Sequence, residues 1–191
     1  MPVAVSSMAH LFSVVNKSAN SLLWKLDHVA IAIASTTSFV PFCYYCFSCL
    51  PGITGLYIAV TCTLGGGVAA SLCFSVFHRS AFRPVRAGLH LTITLWGLVP
   101  LVHATRVLMG NHHAMAAVEL IYAAVGIMLF GALVFALRVT DRLLPGRVNI
   151  IGSSHNIMHC AVVLSNLVFL AGIRGLWLFR SSAAGECHAV I

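Results

Sequence analysis

Five stretches of this chain run for a membrane-length distance with almost no charge: about residues 27–50, 53–77, 87–108, 116–137 and 155–179. About 20 apolar residues in an α-helix cover the hydrocarbon core of a bilayer. Backbone N–H and C=O groups find no water there, so a spanning segment is either a helix or one strand of a closed barrel. Runs of this length without strict alternation leave the helix, because barrel strands are short and alternate apolar with polar. The expected fold class is therefore all-α, a polytopic transmembrane helix bundle. Composition agrees, with 60% of residues hydrophobic and 8% charged, against roughly 25% charged in soluble domains.

Residues 1–15 are also apolar but would reach only about 22 Å as a helix. They read as the end of an earlier spanning helix, which gives five full helices plus that end. No basic n-region or small-residue cleavage site opens the chain, so no signal peptide is expected. The connections are brief: "NKSANSLLWK", "LPG", "HRSAFRPVR", "MGNHH" and "RVTDRLLPGRVNIIG". None holds a soluble domain, so residues 1–191 read as a single transmembrane domain. Gly65, Gly66 and Gly67 would weaken a soluble helix, but in a membrane they suit close helix packing.

The net charge of +7 does not point to nucleic acid, because the basic residues are spread over short loops. They read instead as topology signals. Lys17, Lys25, Arg79, Arg83, Arg86, Arg138, Arg142 and Arg147 fall on one side, and Arg106, Arg174 and Arg180 on the other. The positive-inside rule assigns the larger set to the cytoplasm and the C-terminus to the extracellular or lumenal side.

That topology groups chemistry. His10 ends the first short segment on the cytoplasmic side, Asp27 begins the next helix there, and His155 and His159 begin the last one. His155 and His159 share a face because residues i and i+4 are neighbours on a helix. Three neutral imidazoles with one open position make the ligand set of a catalytic zinc. Asp27 is then the carboxylate able to bond the metal-bound water or take its proton. Each residue alone has a plainer reading: interfacial anchors for the histidines, and a charge complementing the helix dipole for Asp27. Their arrival on one side favours the joint reading, because ionisable groups near a membrane are expensive and rarely idle.

Other polar residues have structural readings. His90, His103 and Glu119 are the candidates for a conduction path, but His103 follows Pro100 and could bond a carbonyl freed by the proline. Cys43, Cys46 and Cys49 are spaced C-x2-C-x2-C without a partner set and read as packing. His112 and His113 fall in an outer loop and are expected to be solvated.

Several segments resemble the progestin and adipoQ receptor (PAQR) and haemolysin-III superfamily. "SSMAH" at 6–10 is similar to the serine-then-histidine signature ending the family's second helix. "KLDHVAIAIASTTSFVPFCYYCFSC" at 25–49 is similar to its third-helix pattern, and "FRPVRAGLHLTITLWGLVPLVH" at 82–103 to the following segments. "RVTDRLLPGRVNIIGSSHNIMH" at 138–159 resembles the block that opens the last helix with SHxxxH. There the family's PER is Thr140-Asp141-Arg142, and its aspartate after PG is Asn149.

The resemblance implies a seven-helix protein, of which this chain lacks the first helix and most of the second. It implies a Zn2+ ion near the cytoplasmic leaflet held by His10, His155 and His159. Asp27 matches the family aspartate that orients the zinc-bound water, and Ser6 matches the serine before the first ligand. Members are described as receptors for adiponectin or steroids, and adiponectin-receptor members as hydrolysing ceramide. The expected function is thus a membrane receptor that hydrolyses a ceramide-like lipid amide with zinc-activated water. The expected partners are membrane lipids and a steroid or protein ligand. Two alternatives stay open: a signalling receptor with a purely structural zinc, and a transporter or channel.

Overall fold

The computed structural model of the chain describes residues 2–12, 17–146, 152–182 and 187, and all regular structure among them is helical. The order is α1 (Pro2–Phe12), α2 (Lys17–Phe47), α3 (Pro51–Cys73), two 3-10 turns (Ser75–His78 and Ser80–Phe82), α4 (Arg83–Leu108), α5 (His112–Leu137), α6 (Val139–Leu143) and α7 (Ser154–Arg180). Five of these, α2, α3, α4, α5 and α7, are long and apolar enough to cross a membrane, and they match the five expected runs. The 11-residue α1 falls on the short apolar opening.

The boundaries differ from expectation in three places. Helix α2 starts at Lys17 rather than near Asp27. Leu22, Leu23 and Trp24 carry its apolar character back past Lys25. The Lys25 ammonium extends from the helix to donate to Ser75 Oγ at 2.8 Å, so a charge near the end does not break it. Helix α3 stops at Cys73, where Phe74 turns extended and the chain continues as 3-10 turns. The short α6 occupies part of what reads as a plain connection. Arg147 and Asn149 lie outside the described residues.

The chain divides into two compact units, Met1–Ala104 and Thr105–Ile191. In the first, Ala32 of α2, Val68 and Leu72 of α3 and Ile93 of α4 form a buried cluster, with Val29, Phe39, Ala69 and Leu89 packed on it. Glycines set how closely the helices approach. A methyl group added at Gly65 would fall 1.8 Å from Thr36 Oγ1, and one at Gly97 would fall 2.0 Å from Phe39 Cζ. Gly66 and Gly67 meet nothing within 4 Å, so only one member of the triplet packs. Several polar side chains along these helices close on backbone or on one another. Thr36 Oγ1 donates to Ala32 O at 2.7 Å, Ser38 Oγ to Ala34 O at 2.8 Å, and Trp96 Nε1 to Thr61 Oγ1 at 2.9 Å. The tight turn between α2 and α3 is tied by Thr54 Oγ1, which donates to Phe47 O at 2.5 Å.

In the second unit α5 and α7 run antiparallel along a seam of small residues. Ala117, Ala124 and Gly131 recur every seven positions on α5, facing Gly175, Ser165 and Ala161 of α7. An added methyl at Gly131 would lie 2.5 Å from Ala161 Cβ, and one at Gly172 would lie 3.0 Å from Ala117 O. Ser165 Oγ crosses the seam to donate to Ala124 O at 2.7 Å. Small residues and one inter-helix hydrogen bond are the means by which helices associate in lipid. Helix α5 is capped by Asn111, whose side chain accepts from His113 N at 3.0 Å and Ala114 N at 3.1 Å. His112 and His113 are exposed, as expected for a solvated loop.

Gly65→Leu and Gly172→Leu are each expected to destabilise by about 1–3 kcal/mol, the usual cost of overpacking. Gly66→Leu is expected to be close to neutral. Thermal unfolding of the three variants in one detergent checks this, and equal melting shifts would contradict the assignment.

Candidate metal centre

The head of α7 is held from two directions. Ser153 is its N-cap, its hydroxyl accepting from Asn156 N at 3.3 Å. Ser154 is 1% exposed and is pinned to α6. Its N–H donates to Asp141 Oδ1 at 3.3 Å, and its hydroxyl accepts from Thr140 N at 3.2 Å and lies 3.0 Å from Thr140 Oγ1. Asp141 is itself flanked by Arg138 Nε at 3.9 Å. Arg138 takes left-handed backbone (φ 51°) where α5 ends and α6 begins, its N–H closing on Phe135 O at 3.1 Å. These contacts fix the residue immediately before His155.

His155 and His159 follow one turn apart and are half-buried. Their Nε2 atoms are 3.0 Å apart, with ring centroids 4.6 Å apart and planes at 76°. Phe135 of α5 packs edge-on against His155 at 5.3 Å, continuing the register set by Gly131 and Ala161. The pair is thus aimed by the helix seam as well as by the cap. On a tetrahedral zinc with Zn–N bonds of about 2.0–2.1 Å, adjacent ligand nitrogens sit about 3.3 Å apart. A separation of 3.0 Å with both Nε2 atoms converging fits two such ligands.

In the first unit, His10 of α1 is exposed and stacks edge-on against Trp24 of α2, with centroids 5.0 Å apart. Ser6 lies one helical turn before His10 and is half-buried. Asp27 comes three residues after Trp24, so its side chain leaves α2 on a neighbouring face. It is 4% exposed, and its Oδ1 has no hydrogen-bond partner among the described residues. His28 Nδ1 donates to Trp24 O at 2.7 Å, which leaves its Nε2 as an acceptor. The same end of this unit carries basic residues. Lys25 reaches Ser75, and Arg86 Nη1 donates to Phe77 O and to Arg79 O, the latter at 3.3 Å.

Three expectations change. His103 does not bond a carbonyl freed by Pro100: its Nδ1 lies 2.9 Å from Tyr57 Oη, a partner 46 residues away on α3. Thr140 and Asp141, read as a departure from a motif, instead hold the head of α7. A carboxylate thirteen residues before a serine at a helix start carries no periodic signal. Cys43 and Cys46 are buried thiols outside any disulfide, consistent with packing, but Cys49, read together with them, is disulfide-bonded. Glu119 is exposed.

The fold and these side chains define a multi-pass integral membrane protein with a paired histidine heading its last spanning helix. The chain belongs to the haemolysin-III-related family, whose model matches residues 1–170 and so includes Ser6, His10, Asp27, His155 and His159. It is 30% identical over 187 residues to heptahelical transmembrane protein ADIPOR2 of Oryza sativa, covering 98% of this chain and 82% of the relative. It is 32% identical over 173 residues to the adiponectin receptor protein of Drosophila melanogaster, covering 90% and 39%. It is 33% identical over 172 residues to heptahelical transmembrane protein 5 of Arabidopsis thaliana, covering 88% and 45%. Against the Drosophila and Arabidopsis relatives, the chain therefore spans less than half of their length.

Asp141→Ala leaves the Ser154 N–H without its acceptor and is expected to cost about 1 kcal/mol of stability, as loss of a capping hydrogen bond does. Asp141→Asn keeps an acceptor oxygen and should cost less. Amide hydrogen exchange at residues 154–156 reads the effect locally: faster exchange in the alanine variant is expected, and unchanged exchange would remove Asp141 from this role.

Proposed function

We propose that this chain is a zinc-dependent lipid-amide hydrolase of its family, with His10, His155 and His159 as the metal ligands and Asp27 as the group that handles the proton. The observation that carries the reading is the convergence of His155 and His159 Nε2 at 3.0 Å, held by the seam and by Asp141. The chemistry zinc supplies in a three-histidine set is Lewis acidity toward a carbonyl and a lowering of water's pKa to about 7.

The remaining steps belong to the chain's own side chains. Asp27 Oδ1 is buried without a partner and is therefore free to accept a proton from an attacking water. Ser6, one turn before His10, would support that ligand's orientation. Phe135 packs edge-on against His155 and gives it an apolar neighbour. Lys25, Arg79 and Arg86 collect at the Asp27 end, which supports a cytoplasmic location for the site under the positive-inside rule. The C-terminus is then extracellular or lumenal. The apolar helices favour a membrane lipid as substrate, with a ceramide-like amide as the class.

A second reading is favoured by the printed name of the Drosophila relative, an adiponectin receptor protein. Here zinc is structural, and a steroid or protein ligand is sensed without turnover. The transporter reading is weakened because His103 is occupied by Tyr57.

His155→Ala and His159→Ala are each expected to lower zinc affinity at least tenfold, measured as metal per purified protein. Full retention in both would sink the ligand assignment. Asp27→Asn is expected to keep zinc while lowering lipid-amide turnover about 10²–10⁴-fold, the usual contribution of general acid–base catalysis. Unchanged turnover in that variant would remove Asp27 from the proton-handling role, and ligand-dependent signalling from a wild type with no turnover would favour the receptor.

A further inference from the structure

Charge is distributed unevenly in the first unit. Its sequence holds Lys17, Lys25, Arg79, Arg83 and Arg86 against a single acidic residue, the buried Asp27, and residues 74–86 hold no carboxylate. A topology signal requires only that cations lie on one side of a bilayer. Here the fold does more, because cations from two helices are drawn onto one turn. Lys25 Nζ of α2 donates to Ser75 Oγ at 2.8 Å. Arg86 Nη1 of α4 donates to Phe77 O and, at 3.3 Å, to Arg79 O. These bonds bracket the 3-10 helix Ser75–His78 and the Arg79 that caps it. Arg79 follows Ser75 by about 8 Å along a 3-10 axis. It is exposed, and among the described residues its guanidinium has no acidic partner.

The same segment exposes apolar side chains. Phe74 is 64% exposed, and Val76 and Val85 are exposed as well. Phe77 and Phe82 pack edge-on with centroids 5.8 Å apart and tie the two 3-10 turns together. The segment joins α3 to α4, two helices of membrane length, and so lies where acyl chains meet head groups. A water-soluble anion would leave Phe74 and Val76 facing water. A phospholipid covers them with its chains and offers its phosphate to the cations. A guanidinium fork matches two phosphate oxygens. The Lys25 ammonium has N–H donors beyond the one that Ser75 takes. A head group with its own amine cation finds no carboxylate on this segment, so a net negative head group fits best.

We propose that Lys25, Arg79 and Phe74 form a seat for an anionic phospholipid of the surrounding leaflet, held in shape by Arg86. The lipid is a bound partner and not a substrate, and the seat stands independently of the metal reading.

Native mass spectrometry of the full chain in detergent tests this with dioctanoyl phosphatidylglycerol and dioctanoyl phosphatidylcholine, which share their chains and differ in net charge. The wild type is expected to bind phosphatidylglycerol at least tenfold more tightly, since one interfacial cation contributes about fivefold. The preference should shrink as ionic strength rises. Arg79→Gln and Lys25→Gln are each expected to lower it about fivefold, while Arg79→Lys keeps most of it. Phe74→Ser is expected to weaken both lipids without changing their ratio, and Arg174→Gln in the other unit to change nothing. Folding is followed by thermal melts. Arg79 is exposed and glutamine at position 25 can still donate to Ser75, so these variants should melt close to the wild type. Equal binding of the two lipids by the wild type overturns the seat. So does a preference undiminished in the Arg79→Gln, Lys25→Gln double variant. Displacement of phosphatidylglycerol by inorganic phosphate, with Phe74→Ser unaffected, would mark a soluble-anion site and overturns it too.

Discussion

Helices in hydrocarbon gain nothing by hiding leucine from lipid, because the tails are as apolar as the side chain. What holds such helices in one register is close backbone approach at small residues, and the α5–α7 seam is built on it. Ala117, Ala124 and Gly131 present small residues to Ala161, Ser165 and Gly175, and Ile121 packs into the space left by Gly172. A cross-seam hydrogen bond, from Ser165 to the Ala124 carbonyl, helps fix the translation that packing alone leaves loose. From that register follows the placement of Phe135 against His155 at the end of the seam. A helix rotated by one residue turns through about 100°, enough to carry both imidazoles off the face on which they converge.

The head of α7 illustrates why a cap can matter to chemistry. His155 is the second residue of its helix, where backbone N–H groups have no intrahelical acceptor. Left to itself, this turn would fray and the imidazole would move with it. Asp141 and Ser153 accept from two N–H groups of that turn, those of Ser154 and Asn156, while the Thr140 N–H donates to the Ser154 hydroxyl. The left-handed Arg138 opens the α6 turn that carries Thr140 and Asp141. A carboxylate near a helix N-terminus also meets the favourable end of the helix dipole. Ligands held within narrow limits before a metal arrives lose little freedom on binding it, which is the general advantage of support around a site.

Much of this was legible in the sequence and some was not, for physical reasons. Length and apolarity identify the five spans because the bilayer imposes both. The His155–His159 pair is legible because helical spacing alone brings i and i+4 together. Asp27 stands out because a carboxylate at a membrane boundary is costly. By contrast, a nearly uniform apolar surface gives no periodicity from which to tell a lipid-facing residue from a packed one. That is why Gly65 could not be separated from Gly66 and Gly67. The partners of His103 and Ser154 are 46 and up to 14 residues away and depend on helix register, which no local pattern reports.

The choice between an enzyme and a receptor with an inert metal turns on the state of the carboxylate. A closed structural site has every ligand position filled and every nearby polar group paired, since nothing is exchanged there. Asp27 is 4% exposed, in a chain whose hydroxyls and indoles mostly find partners, and its Oδ1 does not. Replacing it by leucine or alanine would relieve that cost if packing were its only duty. On the proposed function, that unanswered acceptor is the atom offered to an attacking water. The satisfied pairs, such as Tyr57 with His103 and Trp96 with Thr61, lie elsewhere along the helices. There rigidity is what they contribute, and an open hydrogen-bonding position would serve no purpose.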